Sequence, residues 1–178
     1  MIFKDLIHLT AGSNRSRLAD VKDEEQLYSL LSIEEDLGQM NLSPKITIPC
    51  FNIPVTKEGD VIISNFKAKA AIVTKTNSNK ILTSNFCKCA FDASLLDPWF
   101  FCYFINESDE FKRQLAEEGL RAVSPLVLSQ INISLPPLTL QKKVGQVYKA
   151  FCRRRYLNDK LNCLYEKLIL QSINNEIK

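Results

Sequence analysis

The chain has 178 residues, 46% hydrophobic and 24% charged, with a formal net charge of +3. Those are ordinary globular values, and they exclude global disorder and low complexity. No apolar run approaches the roughly 20 residues that a membrane span needs, and Asp5 and His8 interrupt the N-terminal stretch where a signal peptide would be apolar. The composition predicts a soluble protein of the cytoplasm.

The charge is unevenly spread. Residues 1–40 carry 4 basic and 8 acidic side chains, residues 41–90 carry 7 and 2, residues 91–138 carry 3 and 7, and residues 139–178 carry 9 and 3. Two basic zones are therefore separated by an acidic one, and such zones create local potentials that the whole-chain average hides.

In chain order, residues 1–138 read as mixed, with strands predominating. Lys45–Pro49 alternates, and Pro49 and Pro54 bracket an extended loop. Glu58-Gly59-Asp60 is a turn leading into the β-branched run Val61–Ser64. Residues 70–74 form the next strand, Asn77–Lys80 a turn, and Ile81 through Phe91 a further strand. Asp97-Pro98 opens an aromatic-rich helix, with Trp99, Phe100, Tyr103 and Phe104 as core candidates and an interruption at Asn106–Ser108. Ile131–Leu135 alternates as a half-buried strand, stopped by Pro136-Pro137, and Thr139 is placed to cap a helix beginning at Leu140. Strands followed by helices predict an α+β fold.

From Leu140 to about Asn174 there is no proline and one glycine. Leu140, Val144, Val147 and Phe151 step by 4, 3 and 4, and Leu157, Leu161, Leu164 and Leu168 repeat the rhythm. Arg153-Arg154-Arg155 separates the two stripes, which are offset by a phase slip. Such a helix runs roughly 50 Å, longer than a small domain is wide. It is expected to be a coiled-coil arm that pairs with another chain, the alternative being a terminal helix packed across its own domain. The chain thus divides into a body at 1–138 and a helix at 139–178.

The catalytic inventory is thin. His8 is the sole histidine and lies in an apolar run, where a structural role fits better than a general base. There is no glycine-rich phosphate loop. Cys87-Lys88-Cys89 is the one close pair among six cysteines, without a second pair at zinc-finger spacing, so the thiols are read as reduced, buried and apolar, and no metal is expected. Glu24-Glu25, Glu34-Glu35 and Glu117-Glu118 are read as solvated. No catalytic residue and no cofactor are assigned, and the chain reads as a binding module.

The passage from strand to helix, Asn132-Ile133-Ser134-Leu135-Pro136-Pro137-Leu138-Thr139-Leu140-Gln141-Lys142-Lys143-Val144, resembles the segment that ends a target recognition domain in specificity subunits of type I restriction–modification systems. Pro136, Pro137, Leu138 and Gln141 fall on the matching positions, Val144 stands for the usual Ile, and Ser134 departs from a frequent proline. Leu6–Gly12, Tyr28–Leu31 through Asp36-Leu37-Gly38 (a strand into a turn in that family), Gly59–Ser64 and Ser84-Asn85-Phe86 are similar in the same order. That family usually carries two recognition domains and two long helices in an antiparallel coiled coil, whereas this chain has one of each and resembles a half-subunit.

The resemblance implies a non-catalytic, sequence-specific reader of double-stranded DNA that homodimerises through Leu140, Val144, Val147, Phe151, Leu157, Leu161, Leu164 and Leu168. Two identical domains related by a two-fold axis would read an interrupted palindrome. It also implies a methyltransferase (modification) subunit as partner and a restriction-translocase subunit as a further one. For DNA contact, Lys67, Lys69, Lys75 and Lys80 suit phosphates. Asn14, Arg15, Arg17 and Arg121 suit base edges, the first three in the polar loop Gly12–Arg17. Arg153–Arg155 are read as solvated or interhelical charges, with phosphate contact or partner docking as the alternative. A non-catalytic orphan DNA-binding or scaffold dimer, or a silent specificity-cassette fragment, remains the rival reading.

Overall fold

The computed structural model describes residues 2–14, 16, 24–40, 53–117 and 123–177. In chain order its elements are β1 (Ile7–Ala11), α1 (Leu30–Leu37), β2 (Val61–Ser64), β3 (Lys69–Ile72), β4 (Phe86–Phe91), α2 (Pro98–Glu107), α3 (Asp109–Glu117), α4 (Pro125–Gln130) and α5 (Leu138–Glu176). The strands form one antiparallel sheet in the order β1-β4-β2-β3, so the fold is α+β with a long C-terminal helix, as expected. The alternating segment at 45–49 lies outside the described residues.

All four residues of β2 are buried, which places the apolar run in the middle of the sheet rather than on a one-sided ribbon. Gly59 takes φ +86° at the turn before β2, a conformation that glycine adopts without a Cβ penalty. Phe100, Phe101, Phe104 and Ile105 of α2 are buried in one core with Ile62, Ile63, Ala70 and Ala71. Phe3 joins them, its ring 5.7 Å from Phe101 and 5.8 Å from Phe104. Asp97 caps α2 by accepting the Phe100 N–H, with Pro98 in the first turn, as its sequence predicts. Cys87, Cys89, Cys102 and Cys152 are buried and Cys163 is exposed; Cys50 lies outside the described residues. Burial pushes the Cys89 and Cys102 thiols up, which keeps them neutral.

Several elements depart from their sequence reading. Residues 28–37 are not a strand into a turn. Ser29 accepts the Ser32 N–H while the Ser32 hydroxyl accepts the Ser29 N–H, and this reciprocal cap starts α1. Within 81–91 only Phe86–Phe91 forms a ladder strand, while Ile81 and Thr83 make isolated bridges. Residues 131–135 keep the predicted in-out alternation, with Ile131 and Ile133 buried, but they pair only at Asn132 with Ile2. Gln114 holds them instead, bonding both the N–H and the carbonyl of Asn132 at 2.8 Å. Helix α5 begins earlier than read, directly after Pro137, and Thr139 does not cap it. His8 is exposed on β1 rather than packed.

A buried polar cluster ties α1 to the chain after β3. Asp36 is fully buried; it accepts from Tyr28 Oη at 2.7 Å, from Thr74 N and Oγ1 at 2.9 and 2.7 Å, and from Asn77 Nδ2 at 2.9 Å. Buried carboxylates persist only with such partners.

Candidate functional site

Antiparallel pairing brings distant loops to one edge of the sheet. Ala11 at the end of β1 pairs with Cys87 near the start of β4, and Phe86 pairs with Ser64 at the end of β2. Residues 12–14, 65–68 and 84–85 therefore cluster there. Ser13 N donates to Leu82 O, Asn65 Nδ2 to Ser84 O, and Val123 N to Asn65 O, so the chain re-enters this edge after residues 118–122. Gly12 is packed against the carbonyls of Leu82 and Thr83, where any Cβ would collide with backbone. An open cavity of about 350 Å³, lined by Leu27–Leu30 and Thr83–Phe86, adjoins the edge.

Asn14 follows β1 and Lys67 lies in the β2–β3 turn, so both predicted residues stand at this edge, on either side of β4. Arg15, Arg17 and Arg121 lie outside the described residues. Lys69, although at the start of β3, has its ammonium paired with Glu34 of α1. Lys75 is exposed beyond the far end of β3, and Lys80 donates to Ser32 Oγ at 3.0 Å. The four lysines thus do not form one patch: Lys67 stands at the loop edge, while Lys69 and Lys80 turn toward α1. Asn85 and Phe66, the latter 65% exposed, share the edge and were not singled out by charge. A turn signal flanking two strands was the only sequence cue to them.

Helix α5, 39 residues and about 58 Å long, joins the body through a face that the apolar stripes did not reveal. Gln141, Gly145, Tyr148 and Cys152 are buried against the domain. Gln141 accepts the Asp97 N–H at 3.0 Å and donates to Leu95 O at 3.1 Å and Pro136 O at 2.9 Å. Gly145 lies where a Cβ would collide with the Asp97 carboxylate and stand 2.9 Å from Trp99 Cβ. Tyr148 Oη accepts from Asn106 Nδ2 at 2.9 Å, and burial pushes its phenol pKa up. Arg153 donates to the carbonyl oxygens of Gly38 and Gln39, and Arg155 lies 3.9 Å from Glu34 and 3.8 Å from Glu107. Two of the three arginines between the stripes are therefore anchors to their own domain, and Arg154 alone is exposed. Glu34, read as solvated, is the carboxylate shared by Lys69 and Arg155.

The predicted seam lies beside that face. Leu140 and Phe151 are about half exposed, Val147 is 71% exposed, and Val144 is partly buried. Val144, Val147 and Phe151, with Tyr103, Tyr148 and Glu107, border an open apolar groove of about 500 Å³. From Leu157 onward every described side chain is exposed, including Leu161, Leu164, Tyr165 and Leu168. The first half of the helix packs across its own domain, and its second half projects beyond it. Among the described residues no group of His, Cys, Asp and Glu is placed to hold a metal ion, and no helix is long and apolar enough to cross a membrane.

Neither a protein-family model nor a curated protein matches the sequence. The solved structures do. The HsdS subunit from Thermoanaerobacter tengcongensis matches with a TM-score of 0.52 and 17% identity, covering 91% of this chain and 38% of that one. A chain solved in work on complex assembly and conformational transition of the type I R-M system matches with a TM-score of 0.58 and 19% identity, covering 99% of this chain and 48% of that one. This chain therefore shares the HsdS fold and spans less than half the length of either neighbour.

Proposed function

From a chain that carries one HsdS-like body and one long helix, we propose a sequence-specific DNA recognition subunit of a type I restriction–modification system. It performs no chemistry itself. The body at 1–138 meets double-stranded DNA through the loop edge that holds Asn14 and Lys67, together with Arg15, Arg17 and Arg121. The helix pairs two copies, so that two bodies read the halves of an interrupted palindrome, and the pair recruits a methyltransferase subunit. Lys69, Lys75 and Lys80 contribute positive potential around the edge.

One observation carries this reading: an HsdS-like body ends in a helix whose distal half carries exposed apolar side chains bare of its own domain. A projecting helix of that kind is stable in water when a partner covers it. The fold similarity supports DNA as ligand, and the bare distal helix supports a second copy as its cover.

The test is co-purification of the tagged chain from its native cells, followed by a methylation assay. Recovery of a stoichiometric methyltransferase subunit that modifies adenine only within one interrupted palindrome, and only when this chain is present, supports the proposal. A protein that purifies alone, with no sequence preference once added salt has stripped non-specific affinity, is instead an orphan binder or a silent fragment.

A further inference from the structure

The seam of α5 is self-complementary in one register. Leu140, Val147, Arg154, Leu161 and Leu168 recur every seven residues. Val144, Phe151, Asn158 and Tyr165 recur every seven residues between them. The helix runs without interruption through both series, so one seam spans it and no phase slip is needed. Arg154 and Asn158 are polar, exposed and stand at the middle, and the two series run out at the helix end in the polar Ser172 and Asn175.

We propose that two copies of α5 pair antiparallel with the two-fold axis beside Tyr156, in the register that sets Arg154 against Asn158 of the second copy. This rests on the dimeric reading above. With the helices opposed, one heptad series faces the other. Val144 then meets Leu168 of the second copy, Val147 meets Tyr165, and Phe151 meets Leu161. A slide of one heptad either way sets Arg154 against Phe151 or Tyr165, and Asn158 against Val147 or Leu161. Each such contact strips water from a polar group without giving it a partner. A polar pair in an apolar seam is a register device of this kind.

The flanks agree with the same register. On one flank Leu157 meets its own copy across the axis and Leu164 meets Ala150, so the second apolar stripe is covered as well. On the other flank Ile169 of the second copy reaches the groove beside Tyr103 and Val144, which continues the seam onto the body. That flank also carries Gln141, Tyr148 and Arg155 onto the domain. Both bodies consequently stand on one side of the paired helices.

Cys163 tests the register directly, because it is exposed on α5 while Cys87, Cys89, Cys102 and Cys152 are buried. In a Cys50→Ser background, a nitroxide on Cys163 of each copy is expected at an axial separation of about 21 Å by dipolar spectroscopy. Registers one heptad to either side give about 32 Å or about 11 Å, and parallel pairing gives no axial separation. The double variant Arg154→Leu, Asn158→Leu keeps the dimer and is expected to spread the single distance over more than one register. A single unchanged distance in that variant, or a separation belonging to another register, overturns the proposal. A monomeric mass by light scattering at micromolar concentration overturns the dimeric reading on which it rests.

Discussion

Gln141 accepts the backbone N–H of Asp97 at 3.0 Å, which locks the first turn of α5 to the cap of α2. The same amide donates to the Leu95 and Pro136 carbonyls, so one buried side chain satisfies three backbone groups. Replacing it leaves those groups unpaired, at about 1–3 kcal/mol each before relaxation. Gln141→Ala is expected to lower the unfolding free energy by roughly 2–4 kcal/mol in urea titration. A loss under about 0.5 kcal/mol would mean that water replaces the amide.

Gly145 gives a prediction of opposite sign to helix propensity. In an open helix Gly→Ala gains about 1 kcal/mol. Here the added Cβ would meet the Asp97 carboxylate and Trp99, so Gly145→Ala is expected to destabilise by about 1–3 kcal/mol and to change Trp99 fluorescence. A more stable variant with an unaltered spectrum would show that α5 shifts freely on α2.

Asp36 makes stability depend on pH. Burial raises its pKa, and the hydrogen bonds from Tyr28, Asn77 and Thr74 oppose that rise without cancelling it. A carboxyl whose folded pKa is raised contributes stability that is full below its unfolded pKa and is lost as pH climbs through the folded one. Asp36→Asn, which keeps an oxygen for Thr74 and Asn77, is therefore expected to gain on the wild type as pH rises through that window. Denaturant titrations of both proteins from about pH 4 to about pH 8 measure the difference. A gap that widens toward acid would reverse the sign. Asp36→Ala, which abandons Tyr28, Thr74 and Asn77 in the interior, is expected to cost about 3 kcal/mol at acid pH and less as pH climbs through the same window.

The proposal that the loop edge meets DNA is tested by comparing two neighbouring lysines. Lys67 is exposed on that edge, whereas the Lys69 ammonium is paired with Glu34. Lys67→Ala is expected to weaken all duplexes alike and to reduce the salt dependence of binding by about one ion. Lys69→Ala is expected to leave that slope unchanged. Asn14→Ala is expected to relax preference at one base position, by about 1–3 kcal/mol, if its amide reads a base edge. Fluorescence anisotropy at several salt concentrations separates the three.

Where local chemistry decided an element, the sequence announced it. Asp97-Pro98 names its own helix start, and the β-branched run at 61–64 could hardly be anything but a buried strand. Gln141, carried by the resemblance as a pattern position, turns out to be the clasp between helix and body. What stayed hidden depended on partners far away in the chain. The docking face of α5 is built from Gln141, Gly145, Tyr148, Cys152, Arg153 and Arg155, too polar and too small to register as an apolar stripe. Hydropathy periodicity pointed instead to the exposed seam next to it. Residues 28–38 resembled a strand into a turn, and the reciprocal Ser29–Ser32 cap makes them a helix instead. Lys69 and Lys80 counted as part of a basic zone until α1, some 35 to 48 residues away, supplied Glu34 and Ser32.

Helix α5 is clasped to its body at both ends of its docked half. Gln141 grips one end, and at the other Tyr156 lies in contact with Gly38, where a side chain would collide with the ring, while Arg153 bonds the Gly38 and Gln39 carbonyls just past α1. A rod pinned at one point can pivot; pinned at two, it cannot. The body and the first half of the helix therefore turn as one lever, and bending strain falls on the stretch past Tyr156. Whatever the far half grips, a load applied there reaches the body through α2 and α1.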